Sequence, residues 1–111
     1  ILPALGELGT VGTAIQGYGC PGLTRLQTGL VAMELSRGDG SGNTLNAVHS
    51  GLAMGSIALL GDDEQKQRYL PKTISGEWVA GMGMTEPGAG TDVLGMSTTA
   101  TPLSATRPKE S

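Results

Sequence analysis

Between residues 23 and 60 the apolar side chains return every three or four positions. Leu23, Leu26, Leu30 and Met33 mark one stretch; Leu45, Val48, Leu52 and Ile57, with Leu59 and Leu60, mark the next. A period near 3.6 lines such residues along one face, so both stretches predict helices. Arg37 followed by Gly38 suits the last turn and stop of a helix over residues 23–37, and Gly61 stops the second. Gly38-Asp39-Gly40-Ser41-Gly42 reads as a glycine-rich turn between them, and the second helix reads as largely buried. Asp62 can cap a third helix. Gln65 stands three positions on, as in a capping box, while Asp63 and Glu64 suit the positive first turn. Pro71 predicts an end or a kink. A short helix near the start precedes the loop Gly17-Tyr18-Gly19-Cys20-Pro21-Gly22.

This helical pattern needs a core without aromatic bulk, because the chain has no Phe and 3% aromatics. Leu, Ala, Val and Ile must fill it, with Met33, Met54, Met82, Met84 and Met96 as further core filler. At 111 residues and 38% apolar content, one small core is the bound. Seven dispersed Lys and Arg at net charge -3 offer no stripe for a nucleic-acid backbone. Cys20 is alone, which rules out an internal disulfide or a CxxC metal pair and predicts an inert thiol. The longest apolar stretch, 51–60, is ten residues, short of the roughly 20 that cross a bilayer. His49 has no Cys, Asp or Glu at metal-ligand spacing and reads as a packed histidine; no metal site is expected.

After Ser75-Gly76-Glu77 the pattern changes. Trp78-Val79-Ala80-Gly81-Met82-Gly83-Met84 is uncharged and reads as a strand, and Thr-rich residues 96–101 read as a second extended segment. Trp78 is expected to cover the junction between the helices and these strands. The fold class expected is mainly α, a helical segment followed by the first strands of a β domain. Residues 101–111, with almost nothing to bury, are expected to be a mobile tail. Between the two extended segments lies Thr85-Glu86-Pro87-Gly88-Ala89-Gly90-Thr91-Asp92. Gly88 and Gly90 allow successive N–H groups to form one anion-binding concavity, and Thr85 and Thr91 add hydroxyls. Short glycine patterns match widely, so on these residues alone a plain structural loop is the simpler account. Neither a P-loop GKS/GKT nor a GxGxxG before a helix is present.

Met84-Thr85-Glu86-Pro87-Gly88-Ala89-Gly90-Thr91-Asp92, with Gly95 three positions on, resembles the first signature of acyl-CoA dehydrogenases. Glu64-Gln65-Lys66-Gln67-Arg68-Tyr69-Leu70-Pro71-Lys72 and then Ser75-Gly76-Glu77 resemble the helix that precedes that signature. The resemblance covers residues 23–100. Gly17-Tyr18-Gly19-Cys20-Pro21-Gly22 and Val48-His49-Ser50 look most like the branch holding glutaryl-CoA dehydrogenases and short-chain acyl-CoA oxidases. The glutaryl enzymes carry an Arg followed by Ser where this chain has Asn43-Thr44, which counts against a dicarboxylate substrate.

The resemblance implies a fragment of an FAD-dependent enzyme that oxidises an acyl-CoA thioester to the 2,3-enoyl-CoA. Residues 1–76 would belong to the helical N-terminal domain and 77–100 would begin the middle β domain. Met82, Gly83, Met84, Thr85, Glu86, Pro87, Gly88, Ala89, Gly90 and Thr91 would line FAD, and Asn43, Thr44 and Thr91 would meet the acyl-CoA. No catalytic residue is assigned, since the family's catalytic Glu lies in a later helical portion; Glu86 reads instead as a loop residue that accepts backbone N–H bonds. Relatives are homo-oligomers, found in the mitochondrial matrix, the peroxisome or a bacterial cytoplasm. The isolated chain is expected to bind flavin poorly and not to turn over. The competing account is a non-enzymatic helical interaction module with a structural glycine loop.

Overall fold

The computed structural model describes residues 1–101. Its helices are α1 (Leu2–Glu7), α2 (Arg25–Gly38), α3 (Gly40–Asn46), a π-helical segment (Ala47–Met54), α4 (Gly55–Leu60) and α5 (Asp63–Ile74), with a 3₁₀ turn at Val93–Gly95. The mainly helical fold expected from the periodicity is what forms.

Local chemistry sets most of the helix ends. Thr24 caps α2 and Asp62 caps α5, each in a full capping box with the Gln three residues on, Gln27 and Gln65. The glycine-rich turn shrinks to one residue. Asp39 alone is extended (φ -157°, ψ 116°), and its carboxylate accepts the Ser41 N–H at 2.8 Å, so Gly40 to Gly42 already belong to α3. From there α3, the π segment and α4 run on as one rod, because Asn46, Ala47, Met54 and Gly55 all keep right-handed helical angles.

The core is small. Leu2, Val11, Met54 and Leu70 form its centre, with Leu5, Ile15, Tyr18, Cys20, Ile57, Ala58 and Ile74 packed around them. Loop 9–13 enters this core through a polar chain. The Gly12 N–H donates to Ser50 Oγ at 2.9 Å, the Ser50 hydroxyl donates to Asn46 Oδ1 at 2.8 Å, and Asn46 Nδ2 donates to the Thr10 carbonyl at 2.9 Å. Gly76 turns the chain out of α5 at φ +74°; a Cβ there would sit 2.5 Å from Pro3 N, so only glycine lets α1 pack against this turn.

Several expectations change. Pro71 neither ends nor breaks α5, which continues to Ile74. Its fixed φ is helical and it forfeits one N–H bond. Buried Leu70 and Thr73, with Thr73 Oγ1 donating to the Tyr69 and Leu70 carbonyls, hold the last turn. The rod is not largely buried: Leu52, Leu59 and Leu60 are exposed, while Asn46, His49, Ala53 and Met54 are the buried residues. Buried Asn46, His49 and Ala53 keep the same helical spacing as Leu45, Val48 and Leu52 but stand one position further on, so the core takes the neighbouring face of the rod rather than the one with the larger side chains. Of the five Met, Met54 alone is core; Met33, Met82, Met84 and Met96 are exposed, since little packs over the segments that carry them.

The strands expected over 78–84 and 96–101 do not form a ladder. A strand needs a hydrogen-bonded neighbour, and none of the described residues supplies one; the single bridge joins Glu86 to Ala89. Trp78 does cover the end of the helical part. Its ring lies 6.1 Å from that of Tyr69 and under Lys72 Nζ at 4.6 Å, while the Trp78 backbone N–H donates to the Lys72 carbonyl. The expected mobile tail, apart from Thr101, lies outside the described residues.

Candidate functional site

The segment leaving α5 is fastened before it becomes the glycine loop. His49, with no exposed surface, sits in the π segment between two backbone groups. The Ala80 N–H donates to Nδ1 at 3.0 Å, so the ring proton is on Nε2, which donates to the Thr73 carbonyl at 2.8 Å. One imidazole therefore joins the rod, the end of α5 and the start of the loop. This is the packed, hydrogen-bonded histidine the sequence predicts, and no group of three or more metal-ligating side chains occurs among the described residues.

Beyond Ala80, Gly81, Met82, Gly83, Met84 and Thr85 are exposed. No backbone N–H or hydroxyl of residues 81–85 bonds within the described part of the chain. The next four residues close a tight turn, in which Glu86 and Ala89 exchange N–H···O bonds of 2.9 and 3.1 Å around Pro87 and Gly88. Pro87 at the second position pre-sets such a turn. Ala89 is buried, whereas Gly90 and Thr91 are exposed. The glycines do not take the left-handed conformations of the expected anion concavity: neither Gly88 nor Gly90 has a positive φ. The Pro87-Gly88 turn is satisfied by its own paired hydrogen bonds. A Cβ at Gly81, Gly83, Gly88 or Gly90 would meet open space, so the chain's own packing does not require glycine at any of them.

Glu86 fixes the far side. Its Oε2 accepts the Ser97 N–H at 2.9 Å and the Ser97 hydroxyl at 3.1 Å, and its Oε1 accepts the Thr98 N–H at 2.9 Å. The Ser97 backbone N–H, followed by the Thr98 donors, holds the carboxyl down to about 2. The carboxylate is an anchor that ties residues 86 and 97 into a closed loop, as its sequence context suggested; a group kept ionised in this way is a poor proton acceptor. Ser97 and Thr98 were not singled out from the sequence, and a Thr-rich stretch gives no signal for a carboxylate eleven residues upstream.

The other candidates lie elsewhere. Asn43 lines a mainly apolar cleft of about 290 Å³ between loop 12–15, α2 and the rod. Thr28, Val31, Ala32, Ala47 and Gly51 complete much of its wall, and Thr28 Oγ1 is a buried hydroxyl with no partner. No Lys, Arg, Asp or Glu lines it. Thr44 donates to the Gly40 carbonyl and is absent from this lining. None of residues 82–91 lines the cleft either, so the described residues do not bring Thr91 together with Asn43. Cys20 is half-buried, and burial pushes its thiol up, away from a reactive thiolate.

Comparison with known proteins bears on this arrangement. Residues 1–77 match the model of the acyl-CoA dehydrogenase N-terminal domain. The mitochondrial isovaleryl-CoA dehydrogenase of Bos taurus is 44% identical over 93 residues, 83% of this chain and 22% of the relative. A glutaryl-CoA dehydrogenase of Mycobacterium smegmatis superposes with a TM-score of 0.85 at 42% identity, covering 93% of this chain and 27% of that one. A structure of the enzyme from the same organism in complex with FADH2 gives 0.82 at 38% identity, covering 87% of this chain and 25% of that one. The chain thus spans about a quarter of the length of these relatives.

Proposed function

Because the chain belongs to the acyl-CoA dehydrogenase family through its N-terminal domain, we propose that it supplies one wall of an FAD site in an enzyme that oxidises acyl-CoA thioesters. The observation that carries this reading is the exposed strip 81–85. It has five successive residues whose backbone N–H groups have no partner among the described residues and two glycines whose missing Cβ atoms leave open space, held between His49 and the Glu86 anchor. A planar ring can approach such a backbone closely, and the unengaged Thr85 hydroxyl and Met84 N–H offer donors at its edge. The residues present therefore fit FAD.

In this reading Met82, Gly83, Met84, Thr85, Glu86, Pro87, Gly88, Ala89, Gly90 and Thr91 form the flavin wall, with residues 77–100 beginning a β domain after the helical residues 1–76. The chemistry FAD would supply when bound is acceptance of a hydride from the β carbon of the thioester, which with loss of the α proton to a base leaves the 2,3-enoyl-CoA. This chain's part is positional. Thr85 orients the ring edge, Glu86 keeps the loop closed, and Thr91 meets the flavin phosphate or the acyl-CoA. Asn43 and the orphaned Thr28 hydroxyl face the cleft that takes part of the acyl group, and Thr44 stands beside it. With no cation in the lining, an uncharged acyl chain is favoured over a dicarboxylate. No residue here acts as the base, so the isolated chain does not turn over. By its relatives the protein resides in the mitochondrial matrix or a bacterial cytoplasm, and the assembled enzyme is a homo-oligomer.

The test is a chimera in which residues 1–101 replace the matching segment of the bovine isovaleryl-CoA dehydrogenase. It is expected to retain FAD and turn over. Thr85→Val in it is expected to lower turnover by roughly tenfold or more, in line with losses on removing one preorganised donor. A folded chimera that holds no FAD, or one indifferent to Thr85→Val, counts against the reading.

The exposed apolar stripe of α2, with Leu26 75%, Leu30 50% and Met33 50% exposed, favours a second account, a helical interaction module. That account predicts partner capture that ignores flavin.

A further inference from the structure

A groove of about 570 Å³ runs between the start of α2, loop 14–18 and the ends of α4 and α5, lined by Ile15, Tyr18, Arg25, Ala58, Leu59 and Lys66 among others. Three observations single it out.

The first is charge. Arg25 and Lys66 both line it, and among the described residues no carboxylate lies within salt-bridge reach of either. Arg25 is moreover the first residue of a fourteen-residue helix that has no acidic residue in its first turn. The positive end of a helix disfavours a cation, so the charge sits where α2 gains nothing from it. Thr24 already caps that end, so an anion in the groove would meet the two cations that line it.

The second is strain. Tyr18 has φ +58° between Gly17 at +80° and Gly19 at +83°, a left-handed turn closed by the Cys20 N–H to the Gly17 carbonyl at 2.9 Å. Left-handed backbone angles are unfavourable for an aromatic residue. That conformation sets the Tyr18 ring between the core cluster and the groove.

The third is the floor. Ile15 and Ala58 are partly buried in the core cluster and Leu59 is 80% exposed, so an apolar surface lies beside the two cations. Charge and floor together define an amphipathic anion.

We propose that this groove binds an aliphatic carboxylate, its head between Arg25 and Lys66 and its chain along Tyr18, Ile15, Ala58 and Leu59. The site is separate from the flavin wall, and the proposal does not rest on the reading of residues 82–91.

The experiment is a titration of the full 111-residue chain with octanoate, followed by amide and arginine side-chain NMR shifts, with 1-octanol and acetate as comparison probes. Saturable shifts confined to Tyr18, Arg25, Leu59, Lys66 and their neighbours are expected with octanoate. Binding should weaken at least tenfold for 1-octanol, for acetate and in the double variant Arg25→Gln with Lys66→Gln. Because neither cation is bonded to another residue, the double variant is expected to keep the wild-type spectrum. Independently of any variant, octanoate affinity should fall severalfold as ionic strength rises from 0.01 to 0.15 M, values at which the Debye length shortens from about 30 to 8 Å. Equal binding of octanol and octanoate, shifts scattered over the α2 stripe, salt-independent affinity or the absence of saturation would each overturn the proposal.

Discussion

Glu86 and His49 do most of their work on backbone, the Ser97 hydroxyl on Glu86 being the side-chain contact. Since the Glu86 shift is downward, its anchoring is complete above the ordinary Glu range of about 4.3 and disappears as the pH falls through about 2. The Ser97 and Thr98 amide shifts should therefore titrate with a midpoint near 2, and a midpoint near 4.3 would show that the anchor does not form. His49→Ala removes a fully buried ring, leaves the Ala80 N–H without its partner and leaves the Thr73 carbonyl with the Gly76 N–H alone. A loss of roughly 2–4 kcal/mol in urea unfolding is expected. The roles of these two residues were partly legible. A Glu beside Pro-Gly suggests a loop anchor, and a lone His in an apolar helix suggests a packed one. Their partners were not legible, because Ser97, Thr98 and Ala80 are brought to them by the fold and contribute backbone groups that every residue has.

At the scale of elements, caps were readable and faces were not. Asp62 and Gln65 form the capping box that their spacing announces, and Asp62→Ala is expected to cost about 1 kcal/mol, measured by chemical denaturation. The rod from Gly40 to Leu60 shows the opposite case. Its existence follows from spacing, but the inward face is that of Asn46, His49 and Ala53, one position on from Leu45 and Leu52, and spacing alone does not say which of two equally periodic faces meets the core. The extended segments at 78–84 and 96–101 have strand composition without a ladder, since composition selects a residue for a pleated surface while pairing requires a neighbour. Pro71 inside α5 is tolerated because the buried residues around it hold the turn that the missing N–H weakens.

The described residues bury few large side chains. Leu26, Leu30, Met33, Leu59, Leu60 and Leu94 are all at least half exposed, while four residues form the buried centre. The chain spans about a quarter of the length of its relatives. The family was legible because the signature is a run of local sequence; the cleft beside Asn43 was not, because Asn43, Thr28 and Ala14 meet across three elements. The most direct measurement is FAD fluorescence quenching on titrating the 111-residue chain, alone and together with a separately expressed remainder of a relative. The account predicts weak binding alone and tight binding on complementation, lost when Thr85→Val and Thr91→Val are combined. Complementation without flavin binding, or flavin binding indifferent to that double variant, would contradict it.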